Sequence, residues 1–429
     1  MLDFESENTV KNTCVMIKAG LIREGYAMAE VIEFDYAPHA REELPMQAKT
    51  PSGDALQLKT RLDRFVADRP KARQVLDKAK QVNLQKIKAL KLKPTHSVKL
   101  PESFSARKLP SPDRYKTARE LDALAFQAPT HPVSHQLQGY RALYGLDHLD
   151  AIHDQGYLRA GGHRIHVQIF QPLVPTLGTV WLLHGYLEHS ALYQPMIAEF
   201  LEQGFAVLTL DLPGHGLSSG EETGISDFTV YQMVLNDIHS WVTTQDQVKL
   251  PKPWLGVGQS TGCAIWMDHI LSRCTYKQTP LVDRVMLLSP LIRPAKSAWW
   301  HNPIGLSLIR KIKQNIPRKF RRNNSNPEFL RFVRLQDPLQ PRMMAMSWIL
   351  ALSRWMIYME RMPASRFPVW LVQGARDQTV DWRYNNKYVH RKFRVKVTVL
   401  IEDASHQLIN ECADIRAPLT AMIPIFLKG

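Results

Sequence analysis

From about residue 155 to the C-terminus, short runs of aliphatic and β-branched residues alternate with longer stretches whose apolar positions recur at helical spacing. The runs at 164–170, 179–184, 206–211, 254–258, 284–289, 369–373 and 396–401 are predicted strands. The stretches 192–203, 228–244, 261–273 and 409–427 are predicted helices. Most of the strand runs are apolar throughout rather than alternating. Strands covered on both faces of a mostly parallel sheet look like this. Strand–helix alternation implies βαβ units, hence an α/β fold with a doubly wound sheet.

Residues 1–130 lack this rhythm. Helical spacing is visible over 55–92 (Leu58, Leu62, Phe65, Val66, Val75, Leu76), followed by a proline-punctuated, linker-like stretch from Pro94 to Pro132. The pattern divides the chain into a mainly helical or irregular N-terminal extension (1–130), a core in two parts (131–290 and 363–429) and a helical insert (291–362). The insert holds Trp299-Trp300, a segment 304–316, another at 329–334 and an apolar helix over 343–358. That last run contains Arg354 and is 16 residues long, whereas a membrane-spanning helix needs ~20 apolar residues. The N-terminus is acidic where a signal peptide is basic. These features predict a soluble, cytoplasmic protein. The 4 Cys lie far apart, which excludes a disulfide scaffold and a cysteine-rich zinc module.

Charge adds one feature. The net +15 is concentrated in two blocks. Residues 51–100 carry 13 basic against 4 acidic residues, and 291–345 carry 12 against 2. Such blocks imply an anionic partner, either a phospholipid surface or nucleic acid. Nucleic acid as the main partner fits poorly. Neither block matches a DNA- or RNA-binding motif, and 51–100 has almost no aromatic residue for base stacking beyond Phe65.

The sharpest chemical signal is Gly258-Gln259-Ser260-Thr261-Gly262, which follows a predicted strand and opens a predicted helix. Gly-x-Ser-x-Gly in that context is a nucleophile elbow. The serine occupies a tight turn, and side chains at Gly258 and Gly262 would clash, so both are glycine. The helix N-terminus beneath favours developing negative charge. A glycine-rich turn with an incidental serine is the competing reading, and the strand-to-helix context weighs against it. A serine hydroxyl needs a base and the base an orienting acid, in the chain order Ser, Asp/Glu, His for this elbow. Of the later histidines, His269 lies within the elbow helix, His301 in the basic insert and His390 on a charged, exposed stretch. His406 follows a predicted strand at its carboxyl end, where sites in open α/β sheets form, and is the candidate base. Asp377, in the loop after strand 369–373, is the candidate acid, with Asp403 its rival. An oxyanion hole needs two backbone N–H donors. Thr261 supplies one and Tyr186, in the loop after strand 179–184, the other.

Together, His184-Gly185-Tyr186-Leu187-Glu188-His189-Ser190, Asp211-Leu212-Pro213-Gly214-His215-Gly216-Leu217-Ser218, the elbow, Leu288-Ser289-Pro290 and the Asp377/His406 pair resemble the α/β-hydrolase superfamily. The subgroup they are most similar to is the monoacylglycerol lipase and lysophospholipase-like enzymes, grouped with serine aminopeptidases. The resemblance covers roughly 155–429. It implies an α/β-hydrolase fold with the insert as lid, and a Ser260–His406–Asp377 triad that cleaves carboxylic esters of lipid-like substrates without metal or organic cofactor. In that family the first motif has a small residue and then glycine before Glu-His-Ser, where this chain has Tyr186 and Leu187. An aromatic, aliphatic and basic lid suits an amphiphile with an anionic head, or docking to the inner face of an anionic membrane. A solvated amphipathic cap has the same pattern. The same triad also serves acyltransferases and aminopeptidases. The insert is short of the acids that hold a substrate amine.

Overall fold

The computed structural model describes residues 13–19, 29–35, 117, 135–244, 250–295 and 303–429, with the first two segments and Leu308 described by backbone alone. All belong to one of the chain's two units, the one comprising Met1–Tyr36 and Ser103–Gly429. The stretch expected to be helical over 55–92, the basic block at 51–100, Trp299-Trp300 and His301 lie outside the described residues.

Ten strands form one sheet: β1 (Thr13–Ala19), β2 (Ala29–Asp35), β3 (Ala151–Ala160), β4 (His163–Pro172), β5 (Gly178–Leu183), β6 (Phe205–Leu210), β7 (Trp254–Gln259), β8 (Arg284–Leu288), β11 (Pro368–Gly374) and β12 (Arg394–Ile401). A two-stranded ribbon, β9 (Asn315–Pro317) with β10 (Met343–Ala345), lies in the insert. The helices are α1 (His135–Leu143), α2 (Gln194–Glu202), α3 (Thr229–Thr244), α4 (Thr261–Thr275), α5 (Pro303–Ile312), α6 (Pro327–Leu335), α7 (Met346–Arg361), α8 (Trp382–Lys392) and α9 (Ala413–Lys428).

The sheet order is β2-β1-β12-β11-β8-β7-β5-β6-β4-β3. Neighbours from β1 through β6 run parallel, and the pairs β1–β2, β4–β6 and β3–β4 are antiparallel. The mostly parallel, doubly wound sheet expected from the apolar runs is therefore present. From β5 the chain steps to β6 on one side and then to β7 on the other. A crevice opens at the carboxyl ends of strands where the order reverses in this way.

Successive residues of β5 feed opposite layers. Trp181 and Leu183 pack with α3, α4 and α7 on one face, while Val180 and Leu182 pack with α2 and α9 on the other. Both faces are covered, so β5, β6 and β7 are buried along their whole length.

Several elements depart from the sequence reading. The strand β3 was not expected, because His153, Asp154, Gln155 and Arg159 interrupt any apolar run, as suits an antiparallel edge strand with one half-exposed side. The strands β1 and β2 lie in the N-terminal 130 residues, where no strand pattern was read. The helix α8 was missed because so few of its residues are buried apolars, Tyr388 and Val389 among them. The C-terminal helix begins at Ala413 rather than 409, since Leu408–Asn410 form a 3-10 turn and Cys412 is the N-cap. In the insert the expected segment 304–316 splits into α5 and β9, and the one over 343–358 into β10 and α7. No helix among the described residues is long and apolar enough to cross a membrane.

Asp211, at the carboxyl end of β6, ties the crevice loops together. Oδ1 accepts from the Ser190 N–H (2.8 Å) and hydroxyl (2.6 Å), and Oδ2 from Leu217 N–H (2.9 Å) and faces His166 Nδ1 (2.9 Å). Burial works to raise this carboxyl, but the His166 hydrogen bond and charge, with His189 and His184 nearby, carry it well below the usual carboxylate range. Its stabilising effect is thus complete above the unfolded value of about 3.9 and fades as pH falls through the depressed folded value. Asp211→Ala strands four buried partners and is expected to cost about 3–5 kcal/mol, read as a lower urea midpoint at pH 7. The wild-type excess over the variant should shrink below pH 4. An excess that persists unchanged there would refute the charge-based account.

Candidate active site

The turn at Ser260 is set by its neighbours. Ser260 has φ 54° and ψ −106° and caps the N-terminus of α4. A non-glycine residue at such a backbone is held against its own preference. The holding is done by hydrogen bonds from Ser260 N–H to Leu288 O (2.9 Å) and from Leu291 N–H to Ser260 O (3.3 Å). A Cβ on Gly258 would come 2.4 Å from the Gly262 carbonyl carbon, and one on Gly262 would come 2.2 Å from Leu183 O. Both glycines are therefore required by the close passage of α4 across β7 and β5, as the sequence spacing predicts.

His406 sits in the loop after β12. Its Nδ1 lies 2.7 Å from Asp377 Oδ2, and both side chains are buried. Asp377 lies after β11 and is fixed on all sides. Oδ1 accepts from Thr379 N–H (2.8 Å) and Val380 N–H (3.2 Å), and Oδ2 also accepts from Gln373 Nε2 (3.1 Å). Burial favours neutral forms of both groups, but their mutual charge and hydrogen bond outweigh it. Asp377 falls below the ordinary carboxylate value and His406 rises above the ordinary imidazole value. Nδ1 is committed to Asp377, which leaves Nε2 as the imidazole's remaining functional nitrogen.

Ser260, Thr261, Tyr186 and His406 all line one cavity of about 680 Å³. Its apolar wall comes largely from the insert, with Phe329, Val333, Met344, Trp348 and Leu352. Glu188 also lines it, but its Oε2 accepts from the Tyr193 hydroxyl (2.5 Å) and Gly185 N–H (3.1 Å). The other histidines and the rival acid are engaged elsewhere. His269 bonds Gln232 and the Leu281 N–H. Asp403 pairs with Arg376. His390 is not on an exposed stretch: it is half-buried on α8 with Nε2 3.1 Å from the Thr398 hydroxyl, because that face of α8 turns towards β12.

Several contacts around the site, and one residue, Asp337, escaped the sequence reading. The Tyr186 ring stacks on Trp348 of α7 at 3.6 Å and 9°. Leu187 has φ 65°, a backbone that glycine adopts freely and a leucine adopts only at some cost. His189 Nε2 lies 3.0 Å from Asp337 Oδ2, and Asp337 Oδ1 accepts from the Tyr144 hydroxyl (2.6 Å), all fully buried. Burial opposes ionisation here too, yet the pair holds His189 raised and Asp337 lowered. His189 stood in a motif read from the sequence; Asp337 had no local signal.

A family model, Hydrolase_4 (serine aminopeptidase, S33), matches residues 175–413, more than half of the chain. The chain belongs to this serine aminopeptidase S33 family. Within curated proteins, this S33 member is 30% identical over 128 residues to a monoglyceride lipase homologue of Monkeypox virus, covering 30% of this chain and 44% of that one. It is 30% identical over 111 residues to a monoacylglycerol lipase of Mycolicibacterium smegmatis, covering 25% and 39%. The match thus spans less than half the length of either relative. Among solved structures, the monoacylglycerol lipase of Paleococcus ferrophilus aligns with TM-score 0.52 at 18% identity, over 62% of this chain and 98% of that one. A soluble variant of the Saccharomyces cerevisiae monoglyceride lipase aligns with TM-score 0.53 at 17% identity, over 65% and 96%. These likenesses establish the α/β-hydrolase fold for the S33 member.

In Asp377→Asn the charge that holds His406 up is lost while burial, which pulls it down, remains. The imidazole pKa is therefore expected to drop below the ordinary value of about 6.5. NMR titration of the ring protons measures it, and a value unmoved by the substitution would contradict this electrostatic assignment.

Proposed function

We propose that the protein is a serine hydrolase that cleaves a carboxylic ester of a single-chain lipid, of monoacylglycerol lipase or lysophospholipase type. The observation that carries this reading is the strained elbow at Ser260 sharing one cavity with His406, whose Nδ1 is held by Asp377. In this mechanism Ser260 Oγ attacks the ester carbonyl and gives its proton to His406 Nε2. Asp377 keeps the imidazole oriented and stabilises the imidazolium. The N–H groups of Tyr186 and Thr261 receive the oxyanion at the helix N-terminus. His406 then returns the proton to the leaving alcohol, and an acyl-enzyme ester remains on Ser260. Water, deprotonated by His406, attacks that ester; the acyl–Oγ bond breaks, His406 returns its proton to Ser260 Oγ, and the fatty acid is released.

The long apolar wall supports a fatty acyl group as the part held within the cavity. The acid content supports an ester over a peptide. Among the described lining residues Glu188 is the one carboxylate, and its inner oxygen is engaged by Gly185 and Tyr193. A substrate amine would need a carboxylate free to pair with it. Peripheral contact with an anionic bilayer is part of the same proposal. On α5, Ile304, Ile309 and Ile312 are exposed beside Arg310 and Lys311, the arrangement of an interfacial helix.

Ser260→Ala is expected to abolish p-nitrophenyl butyrate hydrolysis and fluorophosphonate labelling while the unfolding midpoint stays near wild type. Undiminished turnover would overturn the assignment. Because the reaction needs neutral His406 and Asp377 raises its pKa, kcat/KM should climb with pH through a midpoint above about 6.5. Asp377→Asn should move that midpoint down and lower the plateau by roughly 10³–10⁴-fold.

A further inference from the structure

The insert segment between β9 and α6 is anchored at both ends on loops that flank the candidate catalytic groups. At its start, Arg318 N–H donates to Arg342 O (2.9 Å). The Arg318 guanidinium donates to Gln340 Oε1 (2.6 Å) and reaches Leu187 O (3.4 Å), next to the Tyr186 oxyanion donor. At its end, Gln407 N–H donates to Asn323 O (3.0 Å) and Asn324 Nδ2 donates to Gln407 O (2.7 Å), one residue beyond His406. The residues between these anchors must therefore bridge from one catalytic loop to the other. Lys319, Phe320, Arg321 and Arg322 do so, and all line the cavity that holds Ser260.

The strap is strongly cationic. With Arg318 and with Arg334 of α6, five basic side chains line one cavity. Lys319, Arg321, Arg322 and Arg334 have no acidic side chain paired with them among the described residues. Lys319, Arg321, Arg322 and Arg334 are exposed, while Arg318 is half-buried. Burial pulls the Arg318 guanidinium down to about 10, so it stays charged at neutral pH. Phe320 lies under two guanidinium groups, 4.4 Å from Arg318 and 5.1 Å from Arg342, which fixes the middle of the strap. Like charges gathered this way repel one another, and a multivalent anion among them would offset that repulsion. The guanidinium fork matches phosphate oxygens in pairs. The apolar part of the lining suits an acyl chain, which leaves the cationic strap for the alcohol side of a bound ester.

We propose that the Arg318–Asn323 strap is an anion subsite that reads a phosphate group on the alcohol portion of the substrate, with Arg321 and Arg322 as its specificity determinants. The preferred substrates are then single-chain amphiphiles with a phosphate-bearing head rather than neutral glycerol esters. This inference rests on the ester-hydrolase reading above.

The test uses two esters with the same short acyl chain, one on glycerol and one on glycerol 3-phosphate, both monomeric well below micelle formation. The full chain and its R321Q/R322Q variant are compared. Arg318 is left alone because it also holds Leu187. The wild-type enzyme is expected to show kcat/KM at least about tenfold higher for the phosphate ester. The variant should lose most of that ratio, chiefly through KM, and added salt should act in the same direction. A wild-type ratio near one, or a ratio unchanged in the variant, overturns the subsite. So does an unchanged ratio accompanied by lost binding to phosphatidylglycerol vesicles, which would make the strap a bilayer contact. Ser260-dependent p-nitrophenyl butyrate turnover without phosphate preference defeats the subsite alone, whereas absence of any Ser260-dependent turnover defeats the hydrolase reading beneath it.

Discussion

The constraint on which the site depends is the distance at which α4 crosses the sheet. The helix passes so close to β5 and β7 that Gly258 and Gly262 have no space for a Cβ, and the chain can enter the helix only through the backbone found at Ser260. That backbone is costly by roughly 1–3 kcal/mol. The parallel sheet keeps it in place, since β8 supplies Leu288 O to the Ser260 N–H and the strand order sets the loops after β5, β11 and β12 around it. Sheet order, helix approach and the strained serine at the turn are one geometric solution.

A second layer of buried polar groups joins the insert to that frame. Asp211 gathers Ser190, Leu217 and His166, while Asp337 of the insert gathers His189 and Tyr144. Both acids work against burial and both are held by histidines. The loop His184–Ser190 is thus clamped from the core by one carboxylate and from the insert by another. Tyr186 against Trp348 adds an apolar contact between the same two parts. Tyr186 also accounts for a departure from the family pattern: a small residue there would leave the Trp348 ring without its stacking partner.

Much of this was legible in the chain. Strands buried on both faces announce themselves as unbroken apolar runs, so β5 to β8, β11 and β12 stood within two residues of their places. The elbow was legible because its glycines answer to sterics over five residues. His406 and Asp377 were legible through chain order and strand ends, and the structure brings them within 2.7 Å. What failed did so for local reasons. The edge strand β3 mixes polar residues such as His153, Asp154 and Gln155 into its run, and α8 buries little apolar surface. His390 was misplaced because a charged neighbourhood says nothing about which face of a helix turns inward. Asp337 was invisible because its partners are far off in sequence, His189 at a separation of 148 residues. Nothing in a local pattern marks one aspartate as the counter-charge of a distant histidine.

The His189–Asp337 pair also limits how such a protein can diversify. Here the insert carries the counter-ion of a fully buried imidazole in the loop beside the cavity. A different insert lacking an acid at that place would leave His189 to shed its proton or to stand as a lone buried charge, at a cost of several kcal/mol. Insert and loop are in this sense a single heritable part, since neither can change at this contact without the other.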